Sequence, residues 1–286
     1  MSRIAYVNGR YVPHGKASVH IEDRGYQFAD GVYEVCEVRR GKLVDARRHL
    51  DRLERSLFEL LIDMPMSRAA LELVLREIVR RNMVREGIVY LQVTRGVAPR
   101  DHAFPAPDTP PSLVVTARSQ NVAARNATAQ TGIAVISLPE TRWARVDIKS
   151  VGLLPNVLAK QAAKEAGARE AWFVDTEGFV TEGASSNAWI VTKDGALVTR
   201  PANNAILRGI TRTVVLDEAA ALGLRVEERA FTLAEAHDAA EAFNTAATAL
   251  VMPVVQLDGQ MIGEGRPGPV ASRLRNCFHD FTEISP

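Results

Sequence analysis

The sequence predicts an α+β fold made of two domains, each with its own sheet. Its 286 residues exceed what one small core usually organises. Hydrophobic patterns of both the strand and the helix type occur in each half of the chain. A polar stretch rich in small residues, 119–131, lies between the halves. We therefore predict an N-terminal α/β domain over 1–120, a linker over 121–130 and a C-terminal α/β domain over 131–286.

The first half combines a hairpin, two helices and several strands. Asn8-Gly9 suits the positive φ of a tight hairpin turn. Leucines recur at helical spacing after residue 47, and Ser67 is a suitable N-cap for a second helix. Prolines between 99 and 111 indicate a long irregular loop, which in a compact domain is often functional. The expected elements are strands at 4–7, 11–12, 31–38 and 43–44, helices at about 47–62 and after Ser67, and strands at 88–93 and 113–116.

The second half alternates between short apolar runs and helical patterns. Thr232 is a candidate cap for a short helix, and the run before residue 257 is apolar throughout. The expected elements are strands at 133–138, 171–175, 188–192 and 224–227, helices at 156–166, 211–221 and about 270–282, and an apolar segment at 250–257.

Composition excludes several classes of function. The formal net charge of +1 gives no field to attract nucleic acid or an anionic membrane. Apolar runs are shorter than a membrane span, and the N-terminal stretch has no signal-peptide core. Cys36 lies in an apolar run, which favours a buried free thiol, and with Cys277 it indicates a reducing, cytoplasmic setting. The six histidines show no metal-ligand spacing, so we expect no metal.

One lysine stands apart from the other five. The chain has six lysines, and five of them lie in turns or on a solvated helix face. Lys149 instead lies between apolar residues, just before a predicted helix. Removing an ammonium from water is costly and favours the neutral amine, which Schiff-base chemistry requires. A lysine at a strand end, with its amine extended into water, is the other interpretation of these residues.

Six segments resemble, in order along the chain, the class IV or fold-type IV pyridoxal-phosphate-dependent aminotransferases, and most closely the D-amino-acid aminotransferases. They cover most of the chain, and six motifs in order are far more specific than one. They are EDRGYQFADGVYE at 22–34, HLDRL at 49–53, TRGVAPRDH at 94–102, DIKS at 147–150, TEGASSN at 181–187 and LRGITR at 207–212.

The resemblance implies a two-domain fold with pyridoxal 5'-phosphate in the cleft between the domains, and it implies roles for two residues. Lys149 would carry the cofactor as a Schiff base and would then move the substrate α-proton. Glu182 would pair with the ring nitrogen, where a carboxylate favours the protonated ring and its capacity to accept electrons. Without the motif around it, Glu182 would be interpreted as an ordinary turn residue.

The resemblance also implies how the cofactor is held. Arg52 matches the phosphate arginine, and a guanidinium forms paired hydrogen bonds with phosphate. Gly209, Ile210 and Thr211 begin a predicted helix, whose N-terminal N–H groups suit an anion. Leu207 would pack on the ring. Ala246 and Ala247, in the loop predicted over 244–248, depart from the family, which often has hydroxyl side chains here, and would contribute backbone N–H groups.

The substrate carboxylate would bind Tyr33, Arg100 and His102. In D-amino-acid aminotransferases the last two come from the neighbouring subunit, so the resemblance implies a homodimer. A polar loop tip is the other interpretation of Arg100-Asp101-His102. Arg24 is a candidate to order these neighbours.

The expected reaction is ping-pong transfer of an amino group from a D-amino acid to a 2-oxo acid. A branched-chain L-amino-acid aminotransferase and an aminodeoxychorismate-type lyase have the same fold and remain alternatives. Arg100-Asp101-His102 favours the D-enzyme. A binding protein that has lost the chemistry is disfavoured by Lys149 and Glu182.

Overall fold

The computed structural model describes residues 3–285, which divide into two compact units. The first unit contains the chain up to Val122 together with Ile148–Gly152 and residues 283–285. The second contains Ala123–Asp147 and Leu153–Thr282. Each unit therefore takes residues from more than one stretch of the sequence.

The first unit is a sheet with two long helices packed on it. Within residues 3–285 its sheet has the strand order β2-β1-β6-β5-β3-β4, with neighbours antiparallel. Leucines on one face of each long helix join the buried core of the sheet. The elements are β1 (Ile4–Val7), β2 (Arg10–Pro13), α1 (Arg24–Phe28), β3 (Gly31–Arg39), β4 (Lys42–Leu43), α2 (Ala46–Glu59), α3 (Arg68–Arg81), β5 (Glu86–Thr94) and β6 (Ser112–Ser119).

Local sequence signals in this unit are confirmed. Asn8 and Gly9 have φ values of 42° and 89° between the strands of the predicted hairpin. Ser67 Oγ accepts a hydrogen bond from Ala70 N at 3.4 Å and caps α3 as expected. The long loop between β5 and β6 spans residues 95–111.

The second unit is a larger mixed sheet with helices on both faces. Among the described residues its strand order is β12-β11-β10-β13-β14-β7-β8-β9, and β15 pairs with β14. Side chains of β10 alternate, so that Ile190 faces one buried cluster while Trp189 and Val191 face the other. The elements are α4 (Val122–Thr131), β7 (Ile133–Pro139), α5 (Leu154–Glu165), β8 (Glu170–Val174), β9 (Val180–Gly183), β10 (Asn187–Val191), β11 (Leu197–Thr199), α6 (Ile210–Ala221), β12 (Val226–Glu228), α7 (Leu233–Asp238), β13 (Glu241–Ala246), β14 (Leu250–Leu257), β15 (Gln260–Met261) and α8 (Pro269–Cys277).

Three features of the predicted domain division differ from the structure. Residues 283–285, expected in the C-terminal domain, belong to the first unit. Residues 121–130, expected as a linker, mostly belong to helix α4, because four alanines in its ten residues favour a helix despite weak amphipathicity. Lys149, expected in the C-terminal domain, belongs to the first unit through its strand pairing. Within residues 3–285 no helix is both long and apolar enough to cross a membrane.

Candidate active site

Lys149 is fixed to the first strand residues of β3. Its carbonyl accepts a hydrogen bond from Tyr33 N at 3.0 Å, and Val151 N donates to Gly31 O at 3.0 Å. Ser150 and Val32 form an antiparallel bridge between these two bonds. Lys149 is half-buried, and its Nζ lies 4.3 Å from the centroid of the Tyr33 ring. The short pairing therefore delivers the predicted catalytic amine to the predicted substrate tyrosine.

Tyr33 is supported by a second tyrosine on the neighbouring strand. The ring of Tyr90 on β5 lies 5.7 Å from the ring of Tyr33, and its hydroxyl donates to Gln92 Oε1 at 2.7 Å. Burial, and then the nearby Tyr33, raise the pKa of Tyr90 to about 12. Tyr90 therefore stays a neutral hydrogen-bond donor at physiological pH, and its ring supports the position of Tyr33.

Arg52 on α2 is held by a carboxylate that the sequence did not suggest. Its Nε and Nη2 donate to the two oxygens of Glu34 at 2.7 Å and 2.8 Å, and His49 Nδ1 lies 2.7 Å from Glu34 Oε2. Burial alone would raise the pKa of Glu34, but the charge and hydrogen bonds of Arg52 and His49 hold it well below its usual range. This bidentate pair fixes the plane of the guanidinium that we expected to bind phosphate.

Arg100 and His102 lie on the exposed loop between β5 and β6, against Phe28. The guanidinium carbon of Arg100 is 4.9 Å from the Phe28 centroid, and the His102 ring is 5.4 Å from it. Arg24 lies at 4.8 Å from the same centroid and donates to Asp101 O at 2.6 Å. Arg24 therefore orders this loop as suggested, while the described contacts of Arg100 and His102 are with Phe28 rather than with Tyr33.

Glu182 lies on β9 in the second unit, and both of its oxygens accept hydrogen bonds. Its Oε1 is 2.6 Å from Arg142 Nη1, and its Oε2 accepts from Asn187 Nδ2 at 2.8 Å and from Leu207 N at 3.1 Å. Asn187 also donates to Leu207 O at 2.9 Å. The structure thus brings Glu182 and Leu207 together through Asn187, with Glu182 only 5% exposed.

The beginning of α6 meets the same asparagine. Gly209 is the N-cap residue of the helix, and Ile210 and Thr211 are buried in its first turn. A Cβ added to Gly209 would lie 2.1 Å from Asn187 Oδ1, so a side chain there would collide with the amide that holds Glu182. Glycine therefore allows the helix N-terminus, with its unpaired N–H groups, to approach this part of the unit.

The register of β13 determines where Ala246 and Ala247 lie. Thr245 pairs with Asn187, so the strand end at Ala246 lies beside the residue that holds Glu182. The predicted loop over 244–248 is wrong in part, because Asn244–Ala246 continue β13 and the turn is limited to 247–249. Thr245 Oγ1 accepts from Trp189 Nε1 at 2.9 Å, so this hydroxyl is engaged in the core, and Thr248 is exposed.

The donor set of the second unit fits a phosphorylated pyridine. A buried carboxylate suits a protonated ring nitrogen, and the N-terminal amides of a twelve-residue helix suit a phosphate. The absence of a side chain at Gly209 lets Asn187, which holds Glu182, pack against the start of this helix. Sequence reasoning missed Glu34 and Arg142. An acid within the apolar strand β3, which needs a partner when buried, was the available signal for Glu34.

A family model for class IV aminotransferases matches residues 31–257. Among curated proteins, the D-alanine aminotransferase of Bacillus licheniformis is 44% identical over 273 residues, which cover 96% of this chain and 95% of that protein.

Two solved structures are similar across nearly the whole chain. The branched-chain amino acid aminotransferase of Escherichia coli has a TM-score of 0.89 at 25% identity, covering 98% of this chain and 94% of that one. A second branched-chain amino acid aminotransferase, from T.th. and with pyridoxamine 5'-phosphate, has a TM-score of 0.88 at 28% identity, with the same coverage.

Proposed function

Because this chain belongs to the class IV aminotransferase family, we propose that it transfers the amino group of a D-amino acid to a 2-oxo acid by a ping-pong mechanism. The cofactor is pyridoxal 5'-phosphate, which supplies an electron sink for the charge left when the Cα–H bond breaks. The surroundings of Lys149 carry the proposal, since a half-buried amine beside Tyr33 is what this proton transfer requires.

In each half-reaction Lys149 Nζ would move one proton between the substrate Cα and the cofactor, in one direction with the amino donor and in the reverse direction with the 2-oxo acid. The backbone is paired with β3 at Lys149 and at Val151, so the amine can move only by rotation of the lysine side-chain bonds. The ring of Tyr33 stabilises the charged form of the amine after it has taken up the proton.

Glu182 would pair with the ring nitrogen and keep it protonated, and Leu207 would pack on the ring. The residues that would hold the phosphate are Arg52, the N–H groups of Gly209, Ile210 and Thr211, and the backbone of Ala246 and Ala247. The bidentate contact between Arg52 and Glu34 supports the first assignment, because it leaves the guanidinium no rotational freedom to lose on binding.

Tyr33, Arg100 and His102 bind the substrate carboxylate, with Arg100 and His102 supplied by the partner subunit of a homodimer. Their contacts with Phe28 rather than Tyr33 within the chain are in keeping with a role in trans. The proposed setting is the cytoplasm, where Cys36 and Cys277 would remain the free thiols they are in the structure.

The experiment pairs a lysine variant with a substrate panel. Wild-type protein should transaminate D-alanine with 2-oxoglutarate, and Lys149→Ala should lose about 10³-fold or more of that activity with an unchanged circular dichroism spectrum. Lys164→Ala, an exposed lysine on α5, is the matched control and should behave as wild type. Full activity in Lys149→Ala would refute the mechanism.

The preference for D-amino acids over L-amino acids is tested by comparing substrates. A branched-chain L-amino-acid aminotransferase is the main alternative, since the similar solved structures are branched-chain amino acid aminotransferases, and it would share Lys149, Glu182 and Arg52. Turnover of L-leucine with none of D-alanine would establish that alternative. Pyruvate released without any amino acceptor would instead favour the lyase.

A further inference from the structure

Arg142 connects Glu182 to a second carboxylate within the second unit. Its Nη1 donates to Glu182 Oε1 at 2.6 Å, and both side chains are 6% exposed. On its other edge, Arg142 Nε and Nη2 donate to the two oxygens of Glu140 at 2.9 Å and 2.6 Å. One guanidinium therefore bridges two acids.

The geometry of this bridge is restrained from several directions. Glu140 Oε1 also accepts from the backbone N of Arg142 at 2.9 Å, and Glu140 Oε2 accepts from Thr181 Oγ1 at 2.9 Å. The guanidinium carbon of Arg142 lies 4.6 Å from the centroid of the Phe173 ring. Arg142 consequently has one orientation, and that orientation fixes where Glu182 Oε1 lies.

The charges alternate along the row from Glu140 to Arg142 to Glu182. Burial alone would lower the pKa of Arg142, but Glu140 and Glu182 raise it above its ordinary value. Burial alone would raise the pKa of Glu140, but Arg142 and Thr181 lower it below its ordinary value. With Glu182 as the carboxylate that Arg142 faces, the row carries one net negative charge.

That net charge matters for the group that Glu182 faces. An arginine alone beside Glu182 would cancel the carboxylate and oppose a proton on a nearby ring nitrogen. Glu140 cancels the charge of Arg142 instead, so the negative charge of Glu182 remains available to the ring. We propose that Glu140 and Arg142 are positioning residues that orient Glu182 and, through Glu140, keep the cofactor ring nitrogen protonated; this rests on the proposed function.

The test is Glu140→Gln in the holoenzyme, because it removes one charge and keeps the shape of the side chain. The readout is the NMR chemical shift of an isotope-labelled ring nitrogen in bound pyridoxal phosphate. We expect it to move from the protonated toward the neutral position. For D-alanine, kcat should fall by about tenfold for each unit by which the nitrogen pKa drops, with a smaller change in KM.

The control is Asp175→Asn, which breaks another acid–arginine pair in the same unit. Asp175 Oδ2 accepts from Arg200 Nη1 at 2.8 Å, and neither residue contacts Glu182 in the described structure. This variant should keep the wild-type shift and kcat. Should Glu140→Gln not fold, Glu140→Asp carries the test, because it withdraws the carboxylate from Arg142 and should move the shift in the same direction by less.

The outcomes separate the two claims. A wild-type chemical shift and kcat in folded Glu140→Gln would overturn the role of Glu140, as would a wild-type shift in Glu140→Asp if that variant carries the test. In either case, transamination by the wild-type protein would leave the proposed function standing. Wild-type protein that neither binds pyridoxal phosphate nor transaminates would overturn both.

Discussion

Asn187 serves three parts of the candidate site with one side-chain amide. Its Nδ2 donates to Glu182 Oε2 and to Leu207 O, and its Oδ1 occupies the space beside Gly209. Gly209 has a φ of −62°, so its constraint is space and not backbone strain. A change at Gly209 should therefore reach Glu182 through the amide.

Gly209→Ala tests this coupling. The new Cβ must displace the Asn187 amide, which lies only 2.1 Å away, and the shift should loosen Glu182 and the first turn of α6. We expect the Kd for pyridoxal phosphate to rise about tenfold, within the roughly 1–3 kcal/mol typical of overpacking. Equilibrium dialysis measures it. Gly15→Ala, where a Cβ meets nothing within 4 Å, is the control, and an equal Kd in both variants would contradict the coupling.

The types of the site residues were accessible from the sequence, but their partners were not. Lys149, Glu182 and Gly209 stand in motifs and could be named from the sequence, whereas the residues that contact them are known only from the structure. Arg142 and Glu34 act on those residues and on Arg52 from 40 and 18 positions away in the chain. Nothing local distinguishes Arg142 from other charged residues, because a hydrogen bond between distant segments leaves no spacing pattern. The place of Glu34 in an apolar strand indicates that it needs a partner but does not identify that partner.

At the scale of the element, helix α6 contains a buried acid without a hydrogen-bond partner. Glu218 is 0% exposed, and within residues 3–285 neither of its carboxylate oxygens has a partner. Burial, and then the charge of Asp280, raise its pKa to about 8, while Arg273 acts in the opposite direction. The folded protein therefore binds this proton more tightly than the unfolded chain does.

Stability should accordingly fall as pH rises between the unfolded and folded pKa values of Glu218. Well below pH 4.5 the carboxyl is neutral in both states, whereas well above pH 8 it is charged in both and its burial costs the full amount. Glu218→Gln should leave the free energy of unfolding unchanged near pH 4 and raise it near pH 9 by on the order of 2–4 kcal/mol. Urea unfolding at both pH values, with exposed Glu177→Gln as the control, measures the difference; a pH-independent difference would contradict it.

The elements that the sequence predicted share a visible period or turn. Helices α2 and α3 carry leucines on one face, and the Asn8-Gly9 turn defines the first hairpin. Strands β9 and β13 were missed because both are buried on both faces and contain polar residues, so neither shows alternation. Thr245 and Asn244 look like loop residues, yet their side chains accept hydrogen bonds from buried tryptophans.

At the scale of the whole molecule, the proposed dimer can be tested by mixing two inactive variants. Lys149→Ala and Arg100→Ala each disable a different component of the site. If Arg100 acts in trans, a hybrid dimer has one complete site, and random mixing should restore about a quarter of the wild-type sites. Co-expression with two affinity tags and an assay with D-alanine measure the recovery.

The control for this mixture is each variant expressed alone with both tags. If the mixed sample has no more activity than these homodimers, although hybrids are recovered on both tags, each site uses Lys149 and Arg100 of the same chain.

The overall fold class was predictable because both halves of the chain show hydrophobic patterns of the strand and the helix type. The unit boundary was not, because the pairing of Ser150 with Val32 joins residues that are far apart in the sequence.

The first unit also includes residues 283–285. Ser285 N donates to Leu43 O at 3.0 Å, Asp45 N donates to Glu283 O at 2.7 Å, and Ile284 bridges Val44. A ribosome that has translated only the first 122 residues has therefore made a sheet without its lysine segment and without this last pairing. The nascent chain can complete the first unit only after the second has been synthesised, because residues 283–285 come last. The amine of Lys149 reaches Tyr33 only after the segment around Lys149 has left the exit tunnel.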